Sequence, residues 1–267
     1  MNIFKNKEKR VIGMIHLPAL PGTPNSKYSV KEIINQSIKE AELYLTEGVH
    51  AIMIENMHDA PYLLRKVGPE IISSMTAVAL SIKQRFEIPC GIQVLAGANK
   101  EAIAIAQSAN LDFIRAEGFV FGHVADEGFF QSDAGELLRY RKMINAENIY
   151  IYTDIKKKHS SHSITSDTDI VETAKAAEFF QSDGIIITGV STGKEADVNE
   201  LINVRKNVKL PILIGSGITK DNLHKYFPLA DGFIVGSFFK EKGFWKNKID
   251  KKRVRILMSE FNSLKNK

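Results

Sequence analysis

Short apolar runs alternate with longer helix-like stretches from one end of the chain to the other. The apolar runs are continuous rather than mixed with polar residues, which is typical of parallel strands covered by helices. The predicted strands are residues 11–17, 50–55, 91–95, 113–117, 149–155, 184–188, 212–214 and 232–235. The helix-like stretches are residues 30–47, 69–86, 99–109, 134–145, 170–181, 198–206 and 219–226, with a last helix in the C-terminal tail. Eight strand and helix pairs predict an α/β fold, a single (β/α)8 TIM barrel.

Local signals mark the ends of the first two helices. Ser29 stands at the expected N-cap of the helix at 30–47, and Gly48 follows its last residue. Pro69 opens the second helix in the first turn, where proline is tolerated because that amide would have no helical partner. Both helices therefore have the boundary residues that their periodicity predicts.

The length of the chain suits one domain. A TIM barrel typically takes about 250 residues, and this chain has 267. We therefore expect one domain over residues 1–267, with an N-terminal extension at 1–10 and a basic C-terminal helix at 240–267. The apolar fraction of 44% and charged fraction of 25% are those of an ordinary soluble protein.

Targeting signals and cysteine usage suggest a compartment. Residues 1–10 are polar and lysine-rich, so no signal peptide is expected. No apolar run approaches the roughly 20 residues that span a bilayer. The only cysteine, Cys90, excludes an internal disulfide and a multi-cysteine metal site, and it is expected in the core. A reducing cytoplasm is the expected compartment.

The net charge of +5 is concentrated in the tail at 240–267. No aromatic-interleaved or recognition-helix pattern accompanies these lysines and arginines, so nucleic acid is not expected as a partner. The favoured interpretation is a solvated last helix with an apolar inner face, and contact with a membrane surface is the alternative. The residues expected to face inward are Ile249, Val254, Ile256, Leu257 and Phe261.

Glycine and serine follow each of the last two predicted strands. Gly215, Ser216 and Gly217 come after the strand at 212–214, and Gly236 and Ser237 come after the strand at 232–235. Glycines let backbone amides approach a ligand closely, and a following helix N-terminus would add partial positive charge. Because the loops after strands 7 and 8 commonly bind phosphate in TIM barrels, these five residues are predicted to bind a phosphate group.

The other strands also end in polar residues. Function in TIM barrels sits at the carboxyl ends of the strands, so these side chains are expected around one mouth. Candidates for acid–base catalysis are Glu55, Glu117, Asp154 and His16. Candidates for orienting substrate hydroxyls are Asn56, Gln93, Arg115 and Thr188. Converging carboxylates would either hold a divalent cation or push one another's pKa apart. The competing interpretation is a structural ion pair with Arg115 or Lys156.

Two connections are longer than usual for a β/α unit. Residues 118–133 contain glycines and phenylalanines and are predicted to form a lid or binding loop. Residues 156–169 begin with three lysines and are predicted to form a mobile polar loop. Lys156 could form a Schiff base if it were desolvated, but the run of lysines favours a hydrated, basic loop. His159 and His162 have the wrong spacing for two metal ligands on one helical turn.

A set of short motifs runs through the whole chain. They are residues 13–22 (GMIHLPALPG), Glu55-Asn56, Asp59-Ala60-Pro61, Asp126-Glu127-Gly128, residues 136–141 (ELLRYR), Asp154 with Lys158-His159, Thr188-Gly189, Thr192-Gly193 and residues 215–219 (GSGIT). Together they resemble the BtpA/SgcQ family. The resemblance implies a TIM barrel of the ribulose-phosphate-binding type and adds Asp126 to the substrate-binding candidates. The chain departs from the family at Gln93, at the run 96–99 and at Glu127, which bears on the substrate contacts of strands three and four.

Two hypotheses for the function follow. The first is an enzyme acting on a small phosphorylated metabolite, a sugar phosphate or nucleotide-derived compound, by isomerase or epimerase chemistry. Lyase or hydrolase chemistry fits the same residues, and a divalent metal ion is left open as a cofactor. The second is a non-catalytic assembly factor, because the family takes its name from photosystem I biogenesis. In that case the basic tail, Phe129 and Phe130 would contact partners, and in either case the protein could form homo-oligomers.

Overall fold

Eight parallel strands close into a barrel in the computed structural model, which describes residues 3–4, 8–189 and 195–266. The strands in chain order are β1 (Arg10–His16), β2 (Ala51–Glu55), β3 (Cys90–Gln93), β4 (Phe113–Ala116), β5 (His123–Ala125), β6 (Gly128–Phe130), β7 (Tyr150–Asp154), β8 (Ser160–Ser161), β9 (Gly184–Ile187), β10 (Ile212–Ile214) and β11 (Gly232–Val235). The barrel runs in the order β1, β2, β3, β4, β7, β9, β10, β11 and closes by pairing of β11 with β1. The predicted (β/α)8 TIM barrel is confirmed.

Helices cover the outside of the barrel. They are α1 (Val30–Thr46), α2 (Pro69–Arg85), α3 (Asn99–Ser108), α4 (Ala134–Met143), α5 (Ile170–Phe179), α6 (Val198–Asn207), α7 (Leu223–Tyr226) and α8 (Lys251–Lys265). Ser29 caps α1, as predicted, and Glu32 completes a capping box with it. No helix in the described residues is long and apolar enough to cross a bilayer.

The helix predicted at 219–226 is shorter than its pattern suggests. Only one turn, α7, forms, because the Asn222 side chain binds the preceding loop on both sides. It accepts a hydrogen bond from the Thr219 amide at 2.8 Å and donates one to the Gly217 carbonyl at 2.8 Å. The loop after β10 is therefore held by side-chain bonds rather than by an extended helix.

Alternate residues of each strand point into the barrel, and their character changes along its axis. The lower layers are apolar and include Met14, Met53, Phe113 and Tyr152, with Phe4 from the N-terminal segment packed edge-on against Tyr152. The next inward positions toward the carboxyl ends are ionisable or amide side chains. This layering fills the interior and puts the inward-facing ionisable and amide side chains of the strands at one mouth.

The long connection at 118–133 contains regular structure. Strands β5 and β6 form an antiparallel hairpin, and β8 from the connection at 156–169 joins β5 as a third strand. The predicted loop at 156–169 is therefore attached to the lid rather than independently mobile. Arg65 fixes the base of the hairpin by donating to the carbonyls of Gly97, Glu117 and Gly118 and to the Asp133 carboxylate.

The basic tail is part of the fold. Its helix begins at Lys251 rather than at residue 240, and Val254, Leu257 and Phe261 are buried against the barrel, as predicted. Ile249 is partly buried against the same core. Ile256 was expected to face inward, but its side chain is 45% exposed because it lies on the outer face of α8.

Candidate functional site

The mouth of the barrel contains a solvent-open cavity. It brings together the predicted phosphate-binding residues and three of the other candidates, His16, Glu55 and Arg115. Two further basic residues that the sequence did not single out, Lys158 and Arg253, also line it. The two halves of the predicted site therefore share one cavity.

Backbone amides line the side of this cavity where the sequence predicts phosphate binding. In the described part of the chain no acceptor meets the amides of Gly217 and Gly236, and Gly217 adopts a positive φ of 71°. Ser237 begins a 3-10 turn, whose first amides have no partner within the turn. We call the loops 215–219 and 236–238 the phosphate cup, because they surround this group of amides.

Two of the predicted contributions to the cup differ from expectation. The Gly215 amide donates to the Ile187 carbonyl at 2.8 Å, so it is used by the sheet. Gly215 instead provides space, since a Cβ there would lie 2.5 Å from Ile186 and 3.3 Å from Arg115. The expected helix N-termini are also missing, because α7 is one turn long and the segment after β11 is a 3-10 turn.

Arg253 supplies a side-chain cation beside the cup. Its Nε donates to the Phe238 carbonyl at 2.6 Å, and its guanidinium carbon lies 4.4 Å from the centre of the Phe238 ring. These contacts orient the remaining guanidinium donors near the cup loops. Helix α8 carries this residue, so the tail contributes to the site although its sequence reads only as a basic amphipathic helix.

His16 and Glu55 form a buried pair on neighbouring strands. His16 Nε2 lies 3.5 Å from Glu55 Oε2, and His16 Nδ1 lies 3.4 Å from the Trp245 carbonyl oxygen. Burial, reinforced by the charge of Lys240, lowers the pKa of His16 well below its ordinary value. Burial raises the pKa of Glu55, although Arg115 and Lys158 oppose it. When Nδ1 donates to Trp245, Nε2 is left as an acceptor that can exchange a proton with Glu55.

Arg115 and Asp154 form a second buried pair. The Arg115 Nε and Nη2 atoms lie 2.7 and 2.8 Å from the two Asp154 oxygens, and both side chains are almost fully buried. A carboxylate held in this bidentate way is occupied by its partner. Of the two interpretations that the sequence allowed for Asp154, the geometry supports the ion pair.

Glu117 lies beneath the lid with Lys157 and Glu127. Lys157 Nζ is 3.6 Å from Glu117 Oε2 and 3.7 Å from Glu127 Oε2, and it lies 4.7 Å from the centre of the Phe130 ring. Burial raises the pKa of Glu117, and the nearby Lys157 opposes that shift. Glu117 can therefore hold a proton at a higher pH than an exposed glutamate.

Several buried acceptors at the mouth are unsatisfied. Gln93 Oε1, Thr188 Oγ1, Glu117 Oε2 and Glu127 Oε2 have no hydrogen-bond partner among the described residues. Buried polar atoms rarely remain without partners, because each costs about 1–3 kcal/mol of desolvation. These oxygens are therefore suited to receive hydrogen-bond donors from a bound molecule.

Six candidates do not line the cavity: Gln93, Glu117, Asp154 and Thr188 lie at the mouth beside it, and Asn56 and Asp126 lie farther away. Asn56 follows the inward-facing Glu55, so its side chain points outward and binds Asp59 and the Leu95 backbone. Asp126 is exposed at the turn of the hairpin, and its neighbour Glu127 points toward Lys157 instead. Neither Asn56 nor Asp126 is placed to contact a ligand in the cavity.

The remaining sequence predictions concern metal ligands and cysteine. No three or more His, Cys, Asp or Glu side chains of the described ranges are arranged to hold a metal ion. His162 instead contacts the Lys157 carbonyl through Nε2 at 2.9 Å. Cys90 is fully buried, which confirms that it is a core residue, and burial raises the pKa of its thiol to about 12. Thr192 and Gly193 lie outside the described residues.

The sequence missed Lys158, Lys157 and Arg253. The run of three lysines was interpreted as a hydrated loop, but Lys157 and Lys158 both point toward the mouth. The only signal for Lys158 was its place after Asp154 in a motif of the family resemblance. For Arg253 there was no signal, because its position beside the cup depends on where α8 packs.

Solved structures of the same architecture cover almost the whole chain. Thiamine phosphate pyrophosphorylase from Pyrococcus furiosus matches with a TM-score of 0.58 at 15% identity, covering 97% of this chain and 98% of that chain. Phosphoribosyl anthranilate isomerase from Thermus thermophilus matches with a TM-score of 0.59 at 13% identity, covering 96% and 99%. This likeness shows the fold, a TIM barrel.

Relatives with higher identity define the family. Residues 7–263 match the sequence model of the BtpA family. An uncharacterized mitochondrial protein of Caenorhabditis elegans is 50% identical over 98% of this chain and 96% of its own length. The photosystem I biogenesis protein BtpA of Synechocystis is 31% identical over 95% of this chain and 89% of its own length. The chain therefore belongs to the BtpA family, which confirms the resemblance carried by its motifs.

Proposed function

We propose that this protein is an enzyme that acts on a small phosphorylated metabolite. The observation that carries the proposal is that the phosphate cup and the buried His16–Glu55 pair line the same cavity. A phosphate held by the cup would place the rest of the molecule against Glu55. A ligand site that combines an anion anchor with carboxyl groups of raised pKa is typical of enzymes that move protons.

The phosphate would be bound by the backbone amides of Gly217, Gly236 and Ser237 and by the Arg253 guanidinium. Ser216 and Gly215 shape the same loop. Backbone amides and an arginine are well matched to phosphate, because they provide several donors together with positive charge. This binding would hold the substrate in place while leaving its reactive end beside the carboxyl groups.

The reactive end would carry hydroxyl groups. The oxygens of Gln93 and Thr188 without a hydrogen-bond partner can accept hydrogen bonds, and the Thr188 hydroxyl can also donate one, so hydroxyl groups of a ligand would satisfy both. A sugar phosphate or a nucleotide-derived compound with a free ribose has both features. Arg115, fixed by Asp154, adds a positive charge at the centre of the mouth.

Proton transfer next to a carbonyl group is the reaction class that these residues support best. Glu55 and Glu117 would exchange protons with the substrate, and His16 would accept or return a proton through Glu55. Isomerases and epimerases work in this way. Lyase or hydrolase chemistry at the same carboxyl groups is the second candidate. Because a divalent metal ion is left open as a cofactor, the test below is run with and without one. The lid hairpin above Glu117 would limit the access of water.

The test is a thermal-shift screen of the purified protein against sugar phosphates, nucleotides and inorganic phosphate, with and without Mg²⁺ or Zn²⁺. A ligand at a hundred times its dissociation constant adds about 2.7 kcal/mol of stability. We expect stabilisation by a phosphorylated compound that the non-phosphorylated analogue does not give, and loss of that effect in Gly217→Asp. If no phosphorylated compound in a broad panel stabilised the protein, the proposal would be wrong.

The alternative is an assembly factor that acts through its surface, as the name of the Synechocystis relative suggests. Phe129, 51% exposed on the lid, favours this hypothesis, whereas Phe130 is fully buried and unsuited to partner contact. The basic tail gives it less support, because Arg255 and Lys251 are paired with Glu47. If Glu55→Gln and Glu117→Gln preserved the biological role while Phe129→Ser abolished it, the assembly hypothesis would be favoured.

The compartment and the oligomeric state stay predictions. The cytoplasm is expected from the sequence, and the mitochondrial label of the worm relative is a reason to test it by fractionation. Homo-oligomer formation, which is common for barrels of this size, is tested by light scattering.

A further inference from the structure

The three consecutive lysines after β7 have different environments. Lys156 Nζ donates to the Thr165 carbonyl at 3.2 Å. Lys157 Nζ lies between the Glu117 and Glu127 carboxylates. Lys158 lines the cavity with Glu55 and Arg115, and within the described ranges its ammonium group has no hydrogen bond or ion pair. Of the three, Lys158 is therefore the one whose amine faces the ligand space without a protein partner.

The surroundings of Lys158 favour the neutral amine. Burial lowers its pKa, and the positive charge of Arg115 adds to the effect, although Glu55, Asp154 and Glu117 oppose it. Arg115 cannot move away to relieve this repulsion, because Asp154 holds it by two hydrogen bonds. A desolvated lysine beside a second fixed cation is the arrangement that makes an amine nucleophilic near neutral pH.

We propose that Lys158 forms a Schiff base with the carbonyl carbon of a phosphorylated aldehyde or ketone whose phosphate lies in the phosphate cup. This inference rests on the proposed function and narrows its substrate class from phosphorylated metabolites to phosphorylated carbonyl compounds. It also moves the Schiff-base hypothesis from Lys156, which the sequence made the candidate, to Lys158, because only Lys158 lines the cavity that contains the cup.

The chemistry uses groups that are already in the cavity. The neutral amine adds to the carbonyl carbon, a C–N bond forms, and the amine proton passes to the former carbonyl oxygen. The carbon–oxygen bond then breaks, and the hydroxyl leaves as water with one proton from the Glu55 carboxyl. The products are a protonated imine, water and the Glu55 carboxylate. Glu55 suits this step, because it shares the cavity with Lys158 and is held protonated to higher pH by burial.

The imine would serve the reaction classes considered above. Its positive nitrogen withdraws electrons through the imine carbon, so the carbon next to the imine carbon can lose either a proton or a carbon substituent. The Glu55 carboxylate formed in the previous step is then available as a base. Water re-enters at the end, the C–N bond is hydrolysed, and Lys158 and Glu55 return to their starting protonation states.

The test is reductive trapping on the full-length protein. The protein is incubated separately with dihydroxyacetone phosphate, glyceraldehyde 3-phosphate and ribose 5-phosphate in the presence of sodium cyanoborohydride, and the adduct is located by peptide mass spectrometry. We expect one adduct, on Lys158, formed about tenfold or more faster than on any exposed lysine, because a larger fraction of its amine is neutral. An excess of inorganic phosphate should suppress it by occupying the phosphate cup.

Matched variants separate the nucleophile from a simple cation. Lys158→Arg keeps a positive charge but cannot form an imine, so it should retain stabilisation by inorganic phosphate and lose the adduct. Lys156→Met removes a neighbouring lysine that lies outside the cavity, and it should label as the wild type does. Because trapping is read on the wild-type protein, the proposal remains testable if either variant folds poorly.

The outcomes distinguish this inference from the proposed function. If inorganic phosphate stabilises the protein but no probe labels Lys158, or the label spreads evenly over exposed lysines, the Schiff base is overturned and the phosphate site stands. If phosphate neither stabilises the protein nor blocks labelling of Lys158, the phosphate-binding part of the proposed function is overturned, and with it the inference.

Discussion

The guanidinium of Arg115 donates two hydrogen bonds to the carboxylate of Asp154 on the neighbouring barrel strand, from Nε to Oδ2 at 2.7 Å and from Nη2 to Oδ1 at 2.8 Å. Both side chains are buried, so neither charge is compensated by water. The pair fixes the Arg115 guanidinium at the mouth. Burial raises the pKa of Glu55 and of Glu117, and the charge of Arg115 opposes both shifts.

Breaking this pair should be costly. Asp154→Asn leaves the buried Arg115 charge without its partner, so the free energy of unfolding should fall by about 3–5 kcal/mol. Arg115→Met together with Asp154→Leu removes both charges and should recover much of that loss. Urea unfolding of the three proteins measures the difference. A double variant as unstable as Asp154→Asn would show that the unpaired charge is not the cause.

Two variants distinguish a direct contact of Arg253 with phosphate from a general effect of positive charge on α8. Arg253→Met should remove most of the stabilisation that inorganic phosphate gives, because the phosphate loses a charged donor worth about 1.5–3 kcal/mol. Arg255→Met is the control, since Arg255 lies two residues along α8 and pairs with Glu47 outside the cavity. Thermal shift as a function of phosphate concentration checks both variants. If both variants lost the same amount of stabilisation by phosphate, the effect would come from the net charge of α8 and not from a contact with Arg253.

The carboxyl groups in the mouth should matter for turnover rather than for binding. Once a substrate is identified, Glu55→Gln should lower kcat by about 100-fold or more, because the amide cannot exchange a proton. Substrate-induced stabilisation should persist. Asp126→Asn changes an exposed carboxylate of the lid turn and should leave kcat unchanged. Unchanged turnover in Glu55→Gln would contradict the assigned chemistry.

Arg65 should control the mobility of the lid. Arg65→Met removes the donors that bind Gly97, Gly118 and Asp133, so amide hydrogen exchange in β5 and β6 should become faster while exchange in the barrel strands stays slow. Lys66→Met alters an exposed neighbour and is the matched control. Faster exchange throughout the barrel would mean that Arg65 supports the whole fold rather than the lid.

Stability should decrease below neutral pH because of His50. Its Nδ1 accepts a hydrogen bond from the Val11 amide at 3.1 Å, and burial lowers its pKa from 6.5 to about 4. As the pH falls, His50 therefore takes up its proton more readily in the unfolded chain than in the folded one. The stability that neutral His50 contributes to the fold is complete above pH 6.5 and is lost as the pH falls toward 4.

Unfolding free energies at pH 7 and pH 4.5 check this prediction. His50→Gln keeps an acceptor without a titrating group, so its stability should fall less than that of the wild type between the two pH values. His224→Gln, which replaces an exposed histidine, should fall as much as the wild type. A wild-type pH dependence in His50→Gln would assign the effect to other groups.

The sequence alone determined the barrel and the end of it that holds the site. Each strand is apolar on both faces because helices cover one side and the barrel core fills the other, so the period and order of the runs were enough to predict the closed sheet. The positions of His16, Glu55, Arg115 and Glu117 followed from the rule that strands end at the mouth. The two glycine-serine turns predicted the phosphate cup for the same reason.

Only the tertiary structure decided which polar residues share the cavity. Side chains alternate along a strand, so Glu55 points inward and its neighbour Asn56 points outward. The position of the strand end alone does not tell which of the two residues faces the interior of the barrel. Lys158 and Arg253 come from a loop and a terminal helix whose packing has no local signature. The pairing of Asp154 with Arg115 depends on neighbouring strands, 39 residues apart in the chain. Long-range packing, which no short stretch of sequence encodes, sets these contacts and the pKa of each group.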